Sequence, residues 1–149
     1  MSIFPTTVLL ATDGSKDAEL AATTALELAN NTRSELHIVL VYEPAYAYVD
    51  ASGLPFFPDA ELEHELEQQA RRRLDAEVQK TRSAGGAVAQ AHLRVGAAHA
   101  EIVDLAQEIG AGLIVMGSRG LGGIRRALMG SVSDLVVRHA HCPVLVVRH

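Results

Sequence analysis

Five short aliphatic runs, at 7–11, 36–41, 88–95, 113–116 and 144–147, are separated by segments whose apolar residues recur at helical spacing. This alternation restricts the architecture more than any other feature of the chain. Continuous Val, Ile and Leu runs suit parallel strands covered on both faces, where no alternation with polar residues is needed. Strand and helix following one another in strict turn predict an α/β fold: a doubly wound, five-stranded parallel sheet of order 3-2-1-4-5, Rossmann-like, with right-handed crossovers and helices on both faces.

The first helix is expected over 17–30, with Leu20, Ala21, Leu28 and Ala29 turned inward and Asp17 and Glu19 near its positive N-terminal end. The second starts at Asp59, a good N-cap, and Leu62, Leu66, Ala70 and Leu74 recur every four residues before "SAGG" stops it. A third is expected over 98–109, closed by Gly110, and a fourth over 131–139 with Val132, Leu135 and Val136 apolar. With 149 residues, 48% of them hydrophobic, the chain is expected to form one domain, 1–149, with a proper core.

Composition narrows the function classes. The longest apolar runs fall far short of the roughly 20 residues that a membrane span needs. The start, "MSIFPTTVLLATDGS", has neither the basic opening nor the apolar segment of a secretory signal, so a cytoplasmic location and no membrane partner are expected. The single cysteine, Cys142, excludes an internal disulfide and a multi-cysteine zinc site, and is expected to pack rather than react. A net charge of −5 argues against broad affinity for nucleic acid. That charge is unevenly spread: residues 1–116 carry 17 acids and 8 bases, residues 117–149 one acid and five bases. His139, His141 and Cys142 sit too close together for one tetrahedral metal site, and a histidine there also suits a helix C-terminus. "EQQARRR", 67–73, is surrounded by acids and reads as a solvated helix face.

One connection is long. Residues 43–58, "EPAYAYVDASGLPFFP", exceed the roughly 2 to 6 residues usual in α/β units. Together with Tyr42, the segment holds Tyr46, Tyr48, Phe56 and Phe57, five of the chain's six aromatics. A lid over a ligand, a subunit contact and a loop packed on its own aromatics all fit this composition.

Ligands of open α/β sheets bind beyond the carboxyl ends of strands, where strand order reverses. "ATDGS", 11–15, follows the first strand there and "MGSRGLGG", 116–123, follows the fourth, so Asp13 would face a glycine-rich loop across a crevice. Glycines let backbone N–H groups approach a ligand, and the N-terminus of a following helix attracts an anion. Ser131 offers a hydroxyl and an amide at such a start, with Arg119, Arg125 and Arg126 nearby in the chain. Two common phosphate motifs are absent. There is no lysine after Gly122 and Gly123 to complete a P-loop, and the glycines follow the fourth strand instead of the first, as a dinucleotide fingerprint requires. Purely structural readings compete: Asp13 as a helix cap, Ser131 as a plain N-cap, the glycines as a tight turn with close helix–sheet packing.

What matches is Gly117-x2-Gly120-x9-Gly130-Ser131, and with it the chain resembles the ATP-binding branch of the universal stress protein family. The resemblance extends through "VLLATDGS" at 8–15, "VGAAHAEIVDLAQEIGAGLIVMGSRG" at 95–120 and "GSVSDLVVRHAHCPVLVVR" at 130–148. Ala98 departs from it, since many members have proline there. The resemblance implies that Asp13 contacts the ribose or adenine side and the backbone of Val41 the adenine edge. It further implies that Gly117, Gly120 and Gly130 wrap the phosphates, that Ser131 and the amide of Val132 reach the outer ones, and that Mg²⁺ or Mn²⁺ bridges phosphate oxygens. The last strand resembles the edge through which two family subunits pair.

The function this implies is that of a homodimeric adenine-nucleotide sensor or regulator in the stress response, reporting to an unknown protein partner, with at most slow ATP hydrolysis. Asp13 or Asp17 could orient a water, but neither has a base-and-orienter arrangement around it in the sequence. Two alternatives are an ATPase or nucleotidyl-transfer enzyme and an interaction protein of the same fold that binds no nucleotide.

Overall fold

The computed structural model describes residues 2–44, 51–54, 59–118 and 129–148. Strands β1 (Thr7–Ala11), β2 (Glu35–Tyr42), β3 (Val88–Val95), β4 (Ala111–Gly117) and β5 (Val144–Val147) alternate with helices α1 (Lys16–Thr32), α2 (Ala60–Ser83), α3 (Ala98–Glu108) and α4 (Ser131–His139). The strands form one sheet of order β3-β2-β1-β4-β5, and every pairing is parallel. The doubly wound arrangement expected from the aliphatic runs is the one present.

Side chains alternate across each strand, so the sheet feeds two cores. Val8, Leu10, Leu36, Ile38, Leu113 and Val115 face α1 and α2. Leu9, Val39, Ile114 and Met116 face α3 and α4, with Ile102, Leu105 and Val136 packed on them. Burying each such aliphatic side chain contributes roughly 1.5–3 kcal/mol, which is why the three central strands anchor the sheet. Double coverage does not extend to the edges: Val95 at the end of β3 is 50% exposed, and all four residues of β5 are half-buried. An edge strand has a neighbour on one side only, so its aliphatic content exceeds what the described residues cover.

Helix α1 bears out Ala21, Leu28 and Ala29 as inward residues and corrects Leu20. Ala18, Ala21, Ala25 and Ala29 are buried, whereas Leu20 is 39% exposed. At about 100° per residue Leu20 lies opposite that alanine stripe. Small side chains let α1 approach the sheet closely, a geometry the site depends on. Helix α2 is capped by Asp59, whose carboxylate accepts from the Leu62 amide at 2.9 Å. Beyond α3, Gly110 takes φ +66, a left-handed conformation suited to leaving a helix at its C-terminal end.

The remaining sequence readings resolve locally. Arg71, Arg72 and Arg73 are exposed, and the stem of Arg73 lies against Gly14. Cys142 packs on the α3–α4 core, where burial pushes its thiol pKa up. Tyr46, Tyr48, Phe56 and Phe57 lie outside the described residues. Among the described residues, no helix is long and apolar enough to cross a membrane.

Candidate functional site

The carboxyl ends of β1 and β4 are neighbours, so the loops after them meet where strand order reverses. After β1, the Thr12 amide donates to the Val39 carbonyl at 3.0 Å, tying the chain to β2. Asp13 then turns it: Oδ1 accepts from the Ser15 amide at 2.9 Å, and Gly14 adopts φ +83. Ser15, not Asp13, is the N-cap of α1, with Oγ accepting from the Ala18 amide at 3.2 Å.

At the end of β4, Gly117 and Ser118 meet the start of α1. A Cβ on Gly117 would lie 2.8 Å from the carbonyl carbon and Cβ of Asp17. Glycine is therefore required at 117 by close helix–strand approach, the packing alternative to a phosphate contact. Ser118, 1% exposed, joins three elements. Its Oγ donates to Asp17 Oδ2 at 2.7 Å, its amide donates to the Val147 carbonyl at 2.8 Å, and its carbonyl accepts from the Gly130 amide and from Ser133 Oγ. Asp17, 5% exposed, is thereby committed to holding β4 against α1. It is not among the residues lining the cavity below, so a water-orienting role for Asp17 is not what this geometry provides.

Helix α4 starts at Ser131, with Gly130 as its N-cap in extended backbone, φ −74 and ψ 167. Ser131 is thus the first helical residue and not the cap. Among the described residues no side chain caps α4. Ser133 Oγ turns inward, donating to the Ser118 carbonyl at 2.7 Å with the Gly130 carbonyl at 3.1 Å, which fixes the direction of the first turn. Helix α3 has Ala97 as N-cap with no side-chain bond of its own, but the Ala98 amide donates to Glu43 Oε1 at 3.1 Å, from the end of β2.

These loops enclose a cavity of about 350 Å³, within the range of small-ligand sites. Six of the seven residues singled out from the sequence line it: Asp13, Val41, Gly117, Gly130, Ser131 and Val132. Gly120 lies outside the described residues, as do Arg119, Arg125 and Arg126. Glu43, Ala98, Ser118 and Ser133 also line the cavity and were not singled out. The serines carried a signal, since "MGS" and "GSVS" flank the glycine segment at both ends. The N-termini of α1, α3 and α4 all contribute to the wall, and their partial positive charge suits an anion. Only the described start of α4 lacks a side-chain acceptor.

Behind Thr12, on the α1–α2 side of the sheet, Glu77 is 6% exposed. Burial pushes its pKa up, against the pull of Lys80 and a hydrogen bond from Thr12. Lys80 itself pairs with Glu19 at 2.9 Å on the surface.

A family model described as the universal stress protein family matches residues 5–148. A universal stress protein of Thermus aquaticus is 39% identical over 142 residues, covering 95% of this chain and 98% of the relative. Among solved structures, a universal stress protein in complex with cAMP is 29% identical with a TM-score of 0.71, covering 98% of both chains. The universal stress protein from Archaeoglobus fulgidus in complex with dAMP is 26% identical with a TM-score of 0.65, covering 98% of this chain and 99% of its own.

Proposed function

The chain belongs to the universal stress protein family, and from that premise we propose that its cavity binds an adenine nucleotide and that the protein acts as a nucleotide-dependent regulator in the stress response. The phosphate end lies at Gly130, Ser131 and Val132, Asp13 faces the ribose, and the backbone of Val41 meets the adenine edge. Gly117 borders the phosphate end but owes its lack of a side chain to α1. The observation that carries this reading is the start of α4, which no side chain among the described residues caps, at the wall of a cavity at the switch point of the sheet. The cAMP and dAMP complexes of similar chains support it, since both ligands join adenine to a phosphate.

ATP with Mg²⁺ or Mn²⁺ is the ligand pair implied by the glycine signature. The ion would be carried mainly by phosphate oxygens. The protein works as a single domain and pairs as a homodimer through β5, whose four residues are half-buried. A protein partner reads the occupied state.

Calorimetric titration of nucleotide-free protein with Mg-ATP, ADP, cAMP and GTP tests the binding reading, with Gly130→Val as its mutational arm. The backbone of Gly130 is ordinary extended chain, so valine should leave the fold intact while its side chain blocks the α4 start. Adenine-selective binding that Gly130→Val abolishes is the expected result. Absence of binding by the parent, or unchanged affinity in a folded variant, refutes the assignment.

A further inference from the structure

The cavity has two unlike ends. It runs across the carboxyl ends of β2, β1 and β4, which lie side by side in that order. On the β4 flank stand Gly130, Ser131 and Val132, the anion end of the reading above. On the β2 flank stand Val39, Val41 and Glu43, with Ala98 and Ile102 of α3. A nucleotide whose phosphate lies at α4 therefore has its base at the β2 flank. Among the described residues lining that flank, Glu43 alone has a polar side chain.

Glu43 is not a loose surface acid. Its Oε1 accepts from the Ala98 amide at 3.1 Å, across 55 residues of sequence, and this bond fixes the carboxylate at the joint of β2 and α3. A carboxylate has about four acceptor positions, so one bond on Oε1 leaves Oε2 able to accept from a ligand. Residues two apart on an extended chain share a face, which puts the Glu43 side chain on the same side as Val41, and both line the cavity.

We propose that Glu43, latched by the Ala98 amide, determines base specificity: its second oxygen accepts a hydrogen from the exocyclic amine of adenine and repels the carbonyl that hypoxanthine and guanine carry in that place. This rests on the binding reading above and deepens it, because that reading gives the adenine edge to the backbone of Val41 alone. An amine has two hydrogens, so a backbone carbonyl and a carboxylate can each take one. A bond to a charged acceptor changes affinity by about tenfold to a hundredfold. Glu43 is exposed, which places its share at about tenfold.

Three ligands with the same sugar and cyclic phosphate isolate the base: cAMP with an amine at C6, the cyclic phosphate of purine riboside with hydrogen there, and cIMP with a carbonyl. Their charge and their contacts at α4 are the same. Glu43→Gln keeps an oxygen for the Ala98 amide and turns an N–H donor toward the ligand. Ala98→Pro keeps the carboxylate and removes the amide that holds it. Ala98 is the first residue of α3, where proline is well accommodated, and Ala97 at φ −72, ψ 125 already has the backbone that precedes proline.

Calorimetry on the parent should give a cAMP affinity about tenfold above that of the purine analogue. In Glu43→Gln, cAMP is expected to weaken by about tenfold, the purine analogue to stay within about twofold, and cIMP to strengthen. Ala98→Pro is expected to narrow the preference for cAMP over the purine analogue. A parent that binds those two equally, or a Glu43→Gln variant in which all three affinities move together or none moves, overturns the proposal while leaving the site assignment standing. A preference kept in full by Ala98→Pro overturns the latch. A parent that binds none of the three refutes the binding reading, and this proposal with it.

Discussion

Gly117→Ala separates two accounts of the same glycine. If Gly117 serves mainly to let a phosphate approach, alanine should weaken nucleotide binding and leave the unliganded fold almost untouched. The geometry predicts otherwise. The new Cβ would sit 2.8 Å from the carbonyl carbon and Cβ of Asp17 and 3.0 Å from the Ala18 amide nitrogen. These are mostly backbone atoms at the start of a helix and cannot swing aside, so α1 must retreat from β4 by about half an ångström, at an overpacking cost of roughly 1–3 kcal/mol. The same retreat lengthens the 2.7 Å bond from Ser118 Oγ to the buried Asp17 carboxylate. Bonds to charged groups contribute about 1.5–3 kcal/mol, and part of that is lost. A destabilisation of about 2–4 kcal/mol follows, or roughly 5–15 °C in Tm for a chain of this size. Urea denaturation of nucleotide-free protein reads it directly. A variant within about 0.5 kcal/mol of the parent, which is the ordinary range for surface changes, would refute the packing account.

Two further predictions follow from the sheet and its flanks. Burial raises the Glu77 pKa in the folded state, so the folded chain holds that proton to higher pH than the unfolded one does, and stability attributable to Glu77 is lost as pH rises above the ordinary glutamate value of about 4.3. Glu77→Gln should therefore raise Tm at pH 7 and change it little at about pH 3.5, where both chains are neutral at this position; a gain equal at both pH values, or a loss at pH 7, contradicts the linkage. Along β5, the carbonyls of Pro143, just before it, and Val147 accept from Ile114 on β4 and Ser118 just beyond it, so the strand alternation turns the peptide groups of Val144 and Val146 toward the outer edge. Val146→Pro removes an outward N–H without deleting a bond to β4 and should convert a β5-paired dimer to monomer in sedimentation velocity; a dimer that persists moves the interface elsewhere.

Local signals were legible in the sequence, and distant pairings were not. The bounds of β1, β3, β5 and α4 coincide with those expected, because each is written in a run of aliphatic residues or a cap with its neighbours, as at Asp59. Of the inward face expected for α1, Ala21 and Ala29 are buried and Leu28 packs on the core, but Leu20 was misplaced, because helical periodicity and the close approach of α1 to β4 favour Ala18 and Ala25. Six candidate residues line one cavity: strand order brings Asp13 and Gly117 together, whereas Val41, Gly130, Ser131 and Val132 were implied by the family resemblance. Glu43 with Ala98 and His37 with His92 are each 55 residues apart in sequence, and Asp17 with Ser118 are 101 apart. Such contacts depend on register. His37 and His92 meet only because β2 and β3 pair Val39 with His92, which brings their ring nitrogens to 3.0 Å.

Ser118 ties together the elements on either side of the glycine-rich segment. Its amide holds β5, its hydroxyl holds α1, and its carbonyl receives both the Gly130 amide and the Ser133 hydroxyl from α4. Residues 118 and 130, on either side of the glycine-rich segment, are thus bonded to each other and to the sheet and its helices. Gly117 and Gly130 flank that segment yet differ in kind: one is glycine because α1 presses against it, the other sits in backbone that any residue adopts. The two described glycines of a spacing motif that reads as one phosphate cradle in the sequence thus meet different demands in the fold. The first lets α1 approach the strand, and the second is the N-cap of α4 at the cavity wall.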